Sequence, residues 1–218
     1  GYDAGRYNTT GSVQSGVAQN RTALGFMAPT SGDNQVQLGS SAATPYAYAA
    51  LQVRSDARDK ADIEPTRLGL AFIERVQAVQ YRWDMRDDYV WDLTEEDRRA
   101  WWSNPVKDGS KKRSRLHQGV IAQQVREVCA EMGVDFSGLQ DHAVNGGDDV
   151  LTVGYEHFVP PIIKALQEIS DRLKAVEAAC LAAVEEPQRH RQGDGVEHVG
   201  ADGDDAVHRP GLHQPAPD

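Results

Sequence analysis

Ser55 and Lys60, five residues apart, are a pair whose residue types are suited to covalent chemistry. A serine hydroxyl is a weak nucleophile at neutral pH and needs a base beside it. A lysine serves as that base only as a neutral amine, a state that burial or nearby cations favour. The same stretch is also compatible with a charged turn leading into a helix, because Pro65 suits a first helical turn. The spacing alone therefore does not establish a catalytic pair.

Two periodic patterns follow this pair and predict the elements that would position it. Apolar residues at positions 68, 72 and 76 recur at four-residue spacing, which predicts one face of a helix. Apolar and aromatic residues at positions 79, 81 and 83 alternate with polar ones, which predicts a half-buried strand.

These motifs, taken in order, resemble a known family. The opening motif consists of Ser55, Asp56, Arg58, Lys60 and Ile63. With the blocks at 117–125 and 155–160, it is similar to the C-terminal intramolecular chaperone domain of phage tail spikes and tail fibres. That self-cleaving domain is known from endosialidases, and the myelin regulatory factor family carries a related version. The resemblance covers residues 55–176 and implies an α+β chaperone domain. It also implies a strand running into a helix at 117–125 and a helix start at 155–160.

The resemblance also implies a reaction. In that family the chain cuts its own peptide bond before the serine, which here is the bond between Arg54 and Ser55. The hydroxyl of Ser55 would attack the carbonyl carbon of Arg54, and water would then open the resulting ester. The resemblance assigns the role of base to Lys60. It implies one intramolecular proteolysis, with no cofactor and no metal.

Charges around Lys60 bear on whether it can act as a base. Arg58 would favour the neutral amine by repulsion, whereas Asp56 and Asp59 would favour the charged form. We therefore expect these carboxylates to point away from Lys60 or to pair with Arg58. A solvated lysine would stay protonated, so we expect the reaction to wait until subunit assembly buries it.

The N-terminal segment, 1–54, differs in composition from the rest of the chain. It carries five charged residues and no lysine, whereas the whole chain has a formal net charge of −10. Glycines at 11, 25 and 39 share a 14-residue period, and the strand-like stretches before Gly25 and Gly39 repeat with it. Such a period predicts stacked β-coils in a solenoid, with a flexible polar linker as the alternative. The repeat is similar to trimeric adhesin heads and phage fibre shafts, and this resemblance implies that 1–54 is a β-solenoid-like fibre segment.

A heptad pattern begins at residue 159. Its core positions, spaced alternately by three and four residues, are Val159, Ile162, Leu166, Ile169, Leu173 and Val176. With leucine at a and β-branched residues at d, the pattern favours trimers or tetramers over dimers. The resemblance of 55–176 to a trimeric family then implies a trimeric coiled coil over 159–186, with Cys180 as a further core residue. The alternative is an amphipathic helix lying on its own domain.

Two stretches fit the resemblance less well. Residues 84–115 are acidic at their start and basic at their end, and together with the preceding Trp83 they contain four tryptophans. We expect an inserted, solvated loop or hairpin with the tryptophans packed beneath it. Residues 187–218 are rich in proline, glycine and histidine, without the spacing of a structural zinc site. We expect a disordered tail there.

The predicted organisation is a fibre segment at 1–54, a chaperone and autoprotease domain at 55–158, a coiled coil at 159–186 and a tail. The chain, expected to be a fragment of a longer protein, would form a homotrimer with the upstream fibre domains as its other partner. The fibre part would belong to a virion tail assembled in the host cytoplasm, and the chaperone part would be released. The acidic charge argues against a nucleic-acid partner, and no apolar run is long enough to span a membrane. Alternatives are a trimerisation module that does not cleave, and the autocleaving part of a transcription factor precursor.

Overall fold

The computed structural model describes residues 1–14 and 19–193, and the predicted tail from 194 onward lies outside this range. The described residues divide into two units, one that ends at Ser170 and one that begins at Asp171. The described residues form a mixed α/β structure with three two-stranded sheets and a long C-terminal helix. Among the helices described, none has the length and apolar content needed to cross a membrane.

The 14-residue repeat of the N-terminal segment forms a pair of parallel strands. Strand β1 (Arg21–Leu24) pairs with β2 (Gln35–Leu38), and Thr22 lies opposite Val36, one period along the chain. Gly25 and Gly39, which end the strands, have φ values of 120° and 79°, where a side chain is disfavoured. The predicted solenoid is not seen in the described residues, because the unit at Thr10–Gly11 contributes only a turn flanked by two isolated bridges.

The core of the first unit lies within residues 55–158, for which the resemblance implies a chaperone domain. We call these residues the chaperone part. Helix α1 (Leu70–Ile73) and helix α3 (Ala122–Met132) pack with the turn at Tyr155–Phe158. The buried cluster contains Phe72, Val125, Val128, Cys129, Phe136 and Phe158. Partly buried apolar residues at 68 and 76 pack against it, so the four-residue pattern identified the correct face.

Helix α1 is shorter than that pattern predicts. It begins after Gly69, where the backbone amide of Leu70 donates to Glu168 Oε2 at 2.8 Å. This acceptor, contributed by the C-terminal helix, satisfies an amide that the helix itself leaves without a partner. The chain leaves the helix after Ile73 because it must turn into strand β3 (Val79–Tyr81). Pro65 therefore does not start a helix.

The strand and helix expected from the second block are confirmed. Strand β3 pairs antiparallel with β4 (His117–Gly119), so that Val79 lies opposite Gly119 and Tyr81 opposite His117. Helix α3 follows β4 directly and ends at Gly133, whose left-handed φ of 61° is typical of a helix C-terminus. Residues 70–132 thus contain β3, β4 and α3 and include the second block at 117–125.

The segment 84–115 is more ordered than the predicted loop or hairpin. It contains two 3-10 turns, Arg86–Asp88 and Val90–Asp92, and helix α2 (Glu95–Ser103). The Thr94 side chain accepts from the Asp97 amide and caps α2, which explains why a helix starts in this acidic stretch. Trp102 is buried, but Trp91 is 44% exposed, so only some of the tryptophans pack beneath the segment.

The third block also forms as predicted. Strands β5 (Leu139–Asp141) and β6 (Leu151–Val153) form an antiparallel pair, and the turn Tyr155–Phe158 leads directly into α4 (Val159–Gly193). This helix continues past the predicted end of the coiled coil at 186, so residues 187–193 are helical and not part of a disordered tail. The stretch 188–192 consists of Gln, Arg and His, which a helix accepts, and Gly193 comes next.

Candidate functional site

The backbone around Ser55 brings that residue close to Lys60. Residues Ala57–Asp59 form a single 3-10 turn, and the Asp56 side chain caps it by accepting from the Arg58 amide at 2.9 Å. The Lys60 amide donates to the carbonyl oxygen of Ala57 and closes the turn. Because the chain reverses here, Lys60 Nζ lies 2.7 Å from Ser55 Oγ and donates a hydrogen bond to it.

This contact has the geometry that a serine and its base require. A base must lie within about 2.6–3.2 Å of the hydroxyl whose proton it removes, and the observed distance falls inside that range. The lysine donates in the charged state, whereas the neutral amine would accept the hydroxyl proton through the same contact. The arrangement can thus support nucleophilic attack once the amine is neutral.

Both nearby carboxylates are engaged by arginines and not by Lys60. Asp56 accepts from Nε and NH2 of Arg58 at 3.0 and 2.6 Å, and Arg54 Nε lies 2.8 Å from Asp59 Oδ2. The side-chain hydrogen bond from Arg58 lowers the pKa of Asp56, and the same bond raises the pKa of Arg58. The expected pairing of Asp56 with Arg58 is present, while Asp59 pairs with the residue before the bond that the resemblance marks for cleavage.

The surroundings of the pair are open to solvent. Every residue of the exposed segment, defined as 42–67, is exposed, including Ser55 and Lys60. The segment also carries large apolar side chains that are more than 70% exposed: Tyr46, Tyr48, Leu51, Val53 and Ile63. In this single chain the side chains of Ser55 and Lys60 are therefore both in contact with water.

The predicted core positions of the coiled coil lie on α4 and are also exposed. The exposed fraction ranges from 44% to 60% over Val159, Ile162, Leu166, Ile169, Leu173 and Val176. Cys180 is an exposed free thiol. A helical face carrying this many apolar side chains is seldom left in water.

Sequence reasoning missed a set of polar residues that join the N-terminal segment to the chaperone part. Asp148 accepts from the backbone and side chain of Thr9, 139 residues away, and Arg98 donates to the carbonyl oxygen of Gly11. His142 contacts Ser31. No spacing rule relates residues so distant in sequence, so no signal in the chain pointed to them.

Comparison with known families agrees with the resemblance. Residues 55–134 match the model of the peptidase S74 family, described as the chaperone of endosialidase, and the match begins at Ser55. It includes the exposed pair, β3, β4 and α3. No curated protein matches the chain.

Proposed function

We propose, on the match of residues 55–134 to the chaperone-of-endosialidase family model, that this chain trimerises and folds a phage tail fibre or tail spike. The domain would then release itself by cutting the bond between Arg54 and Ser55. The segment 1–54 would remain with the fibre in the virion tail. The observation that carries the proposal is the 2.7 Å contact between Lys60 Nζ and Ser55 Oγ.

The proposed reaction needs only groups of this chain and water. Neutral Lys60 removes the Oγ proton of Ser55 while Oγ bonds to the carbonyl carbon of Arg54. The carbon–nitrogen bond of the peptide then breaks, and the Ser55 nitrogen takes up the proton from Lys60. Water hydrolyses the resulting ester, which leaves a carboxylate on Arg54 and a free amino group and hydroxyl on Ser55.

Trimer formation would supply what the single chain lacks. The apolar face of α4 has the heptad spacing of a three-stranded coiled coil, and the exposed segment carries five further apolar side chains. Covering these side chains with two other copies would also desolvate Lys60 and favour its neutral form. Cleavage would therefore follow assembly.

The chaperone role follows from the kinetics of β-structure. The parallel pairing of β1 and β2 joins residues 14 positions apart, and three chains would have to keep the same register. Bringing strands of three separate chains together in one register is slow and prone to misassembly. A coiled coil that holds the chains in register would speed correct pairing, and its removal would make assembly irreversible.

The test is expression of the wild-type chain beside Ser55→Ala and Lys60→Ala. We expect the wild type to yield a fragment spanning 55–218 whose first residue is Ser55, and both variants to remain uncut. Ser114→Ala and Lys112→Ala, at exposed positions outside the pair, are matched controls that should cut normally. Denaturing electrophoresis and the mass of the fragment give the result.

Two outcomes would contradict parts of the proposal. Cutting of Ser55→Ala at the same bond would exclude Ser55 as the nucleophile. A wild-type trimer that never cuts would favour the trimerisation module without cleavage. The exposure of Ser55 and Lys60 in the single chain is the observation that favours this second function.

A further inference from the structure

The N-terminal segment, as far as it is described within 1–41, lies against the chaperone part through a surface of charged and polar side chains. We call this the docking surface, and it consists of Asp88, Arg98, Arg113, His142 and Asp148. These residues come from a 3-10 turn, from α2, and from the stretches before β4 and after β5. They lie together only in the folded chain.

Asp148 makes the most contacts. Its carboxylate accepts from Asn8 Nδ2 at 3.2 Å, from the Thr9 amide at 3.1 Å and from the Thr9 hydroxyl. Its own amide donates to the carbonyl oxygen of Ser31 at 2.5 Å. The neighbouring Gly147 lies so close to Ser31 that a Cβ would clash with that carbonyl oxygen. The two backbones therefore meet here without room for a side chain.

Two arginines recognise the backbone of the N-terminal segment. Arg98 NH1 donates to the carbonyl oxygen of Gly11, and Arg113 NH1 to that of Ser41, both at 2.6 Å. Arg113 NH2 also lies 3.0 Å from Asp88, which in turn accepts from the Ser41 hydroxyl at 2.7 Å. Charged donors make hydrogen bonds stronger than neutral ones. These contacts therefore hold both ends of the segment.

The His142 ring contacts the N-terminal segment through Nδ1 and the chaperone part through Nε2. The side-chain oxygen of Gln35 accepts from the amides of Ser31 and Gly32, which turns Nε2 of Gln35 toward His142 Nδ1 at 3.1 Å. Nδ1 is therefore an acceptor, and the ring proton on Nε2 faces the Thr152 hydroxyl at 3.1 Å. Burial lowers the pKa of His142, which agrees with a neutral ring.

The surface between the two parts is mostly polar. Its apolar contacts are an edge-to-face pair of Tyr7 and Trp91, with 5.2 Å between ring centroids, and the buried Val90 beside Gly11. In the described part of 1–41, the buried apolar residue is Ala28, and the buried polar residues are Thr10, Thr30 and Ser31. Interfaces between parts that can separate are more polar than permanent ones. The bond between Arg54 and Ser55 lies outside this surface, in the exposed segment 42–67.

We infer that the docking surface keeps holding the segment 1–41 after the connecting chain is cut, so that cleavage and separation are two distinct steps. The inference rests on the proposed function. After self-cleavage, the chaperone part would stay bound to the fibre end until the docking surface dissociates. The partner is a β-rich, nearly uncharged segment of the same chain, recognised through its backbone and its threonine and serine hydroxyls.

The experiment separates this inference from self-cleavage. In a Ser55→Ala chain carrying an affinity tag before Gly1, residues 46–51 are replaced by the recognition sequence of a site-specific protease. That protease is added to the folded protein, and the tagged piece is captured. We expect the C-terminal piece to be captured with it, and to leave at least about tenfold faster when Asp148 is changed to Ala.

Two further variants make the result specific. Asp148→Asn keeps the size of the side chain but removes its charge, and it should weaken retention even if Asp148→Ala folds poorly. Glu131→Ala, which removes an exposed acid of α3 away from the surface, should retain the C-terminal piece like the parent.

Immediate separation of the parent pieces would overturn the inference, as would equal release rates for the Asp148 and Glu131 variants. Retention of the pieces together with a wild-type chain that never cuts itself would overturn only the proposed autoproteolysis.

Discussion

The exposed segment 42–67 and the buried core around Phe72 are opposite kinds of structure in one compact unit. In the segment every residue is exposed, while Phe72 and Val125 in the core are fully buried. The proposed chemistry lies in the segment, and the packing that stabilises the chaperone lies in the core. The contact between Ser55 and Lys60 depends on one turn, so it can form without the core. Catalysis and stability should therefore respond to different substitutions.

The largest expected effect on stability comes from the core. In the uncut Ser55→Ala chain, Phe72→Ala should lower the free energy of unfolding by about 3–5 kcal/mol, because it leaves a cavity among Val125, Phe136 and Phe158. Val106→Ala, at an exposed apolar residue, should change it by less than about 0.5 kcal/mol. Urea denaturation measures both. Similar losses in the two variants would contradict the division between core and exposed surface.

Substitution at a predicted core position of the coiled coil tests whether self-cleavage in the exposed segment requires trimer assembly. Leu173→Lys should break the trimer and slow self-cleavage by at least about tenfold, because a lysine at a core position disfavours helix association. Ala175→Lys, on the same helix outside the heptad core, should leave both unchanged. The oligomeric mass and the rate of fragment formation are measured together. A monomer that cuts at the wild-type rate would show that the pair works without partners.

Two aspartates of the same unit should respond to pH in opposite ways. Burial raises the pKa of Asp87 to about 6, whereas Arg58 lowers the pKa of the exposed Asp56. A carboxyl whose folded pKa is raised binds more protons in the folded state, so stability falls as pH rises from about 4 to about 6. Asp87→Asn should remove this decline and raise the free energy of unfolding at pH 7, by on the order of 2 kcal/mol.

Denaturation of the uncut chain at several pH values checks this prediction. Asp56→Asn is the matched control, and we expect almost no change in stability because its ion pair is exposed. An unchanged pH dependence in Asp87→Asn would mean that another group causes the decline.

The smallest expected effect concerns the ion pair between Arg54 and Asp59. It joins residues on the two sides of the proposed cleavage bond and limits the motion of Arg54. Since exposed ion pairs are weak, Asp59→Asn should slow fragment formation only about two- to fivefold, and less at high salt. Asp62→Asn, at a nearby exposed acid, is the control. Equal rates of fragment formation in Asp59→Asn and the control would show that Asp59 does not help to position the bond.

Much of the local structure was predictable because it depends on short-range patterns. The 14-residue repeat reappears as the offset between paired residues of β1 and β2. The alternation at 79–83 predicted β3, since alternation reflects which side of a strand faces the core. The blocks at 117–125 and 155–160 predicted β4, α3 and the start of α4 through the resemblance. The trimer and the cleavage stay predictions.

The sequence by itself determined the period of the repeat, the apolar face of α4 and the turn that joins Ser55 to Lys60. Each depends on residues fewer than about 15 positions apart, where backbone geometry limits the possibilities. Only the tertiary structure decided that Glu168 starts α1 and that Asp148 holds Thr9. These contacts span 98 and 139 residues, and such distant pairs meet only when the whole unit has folded.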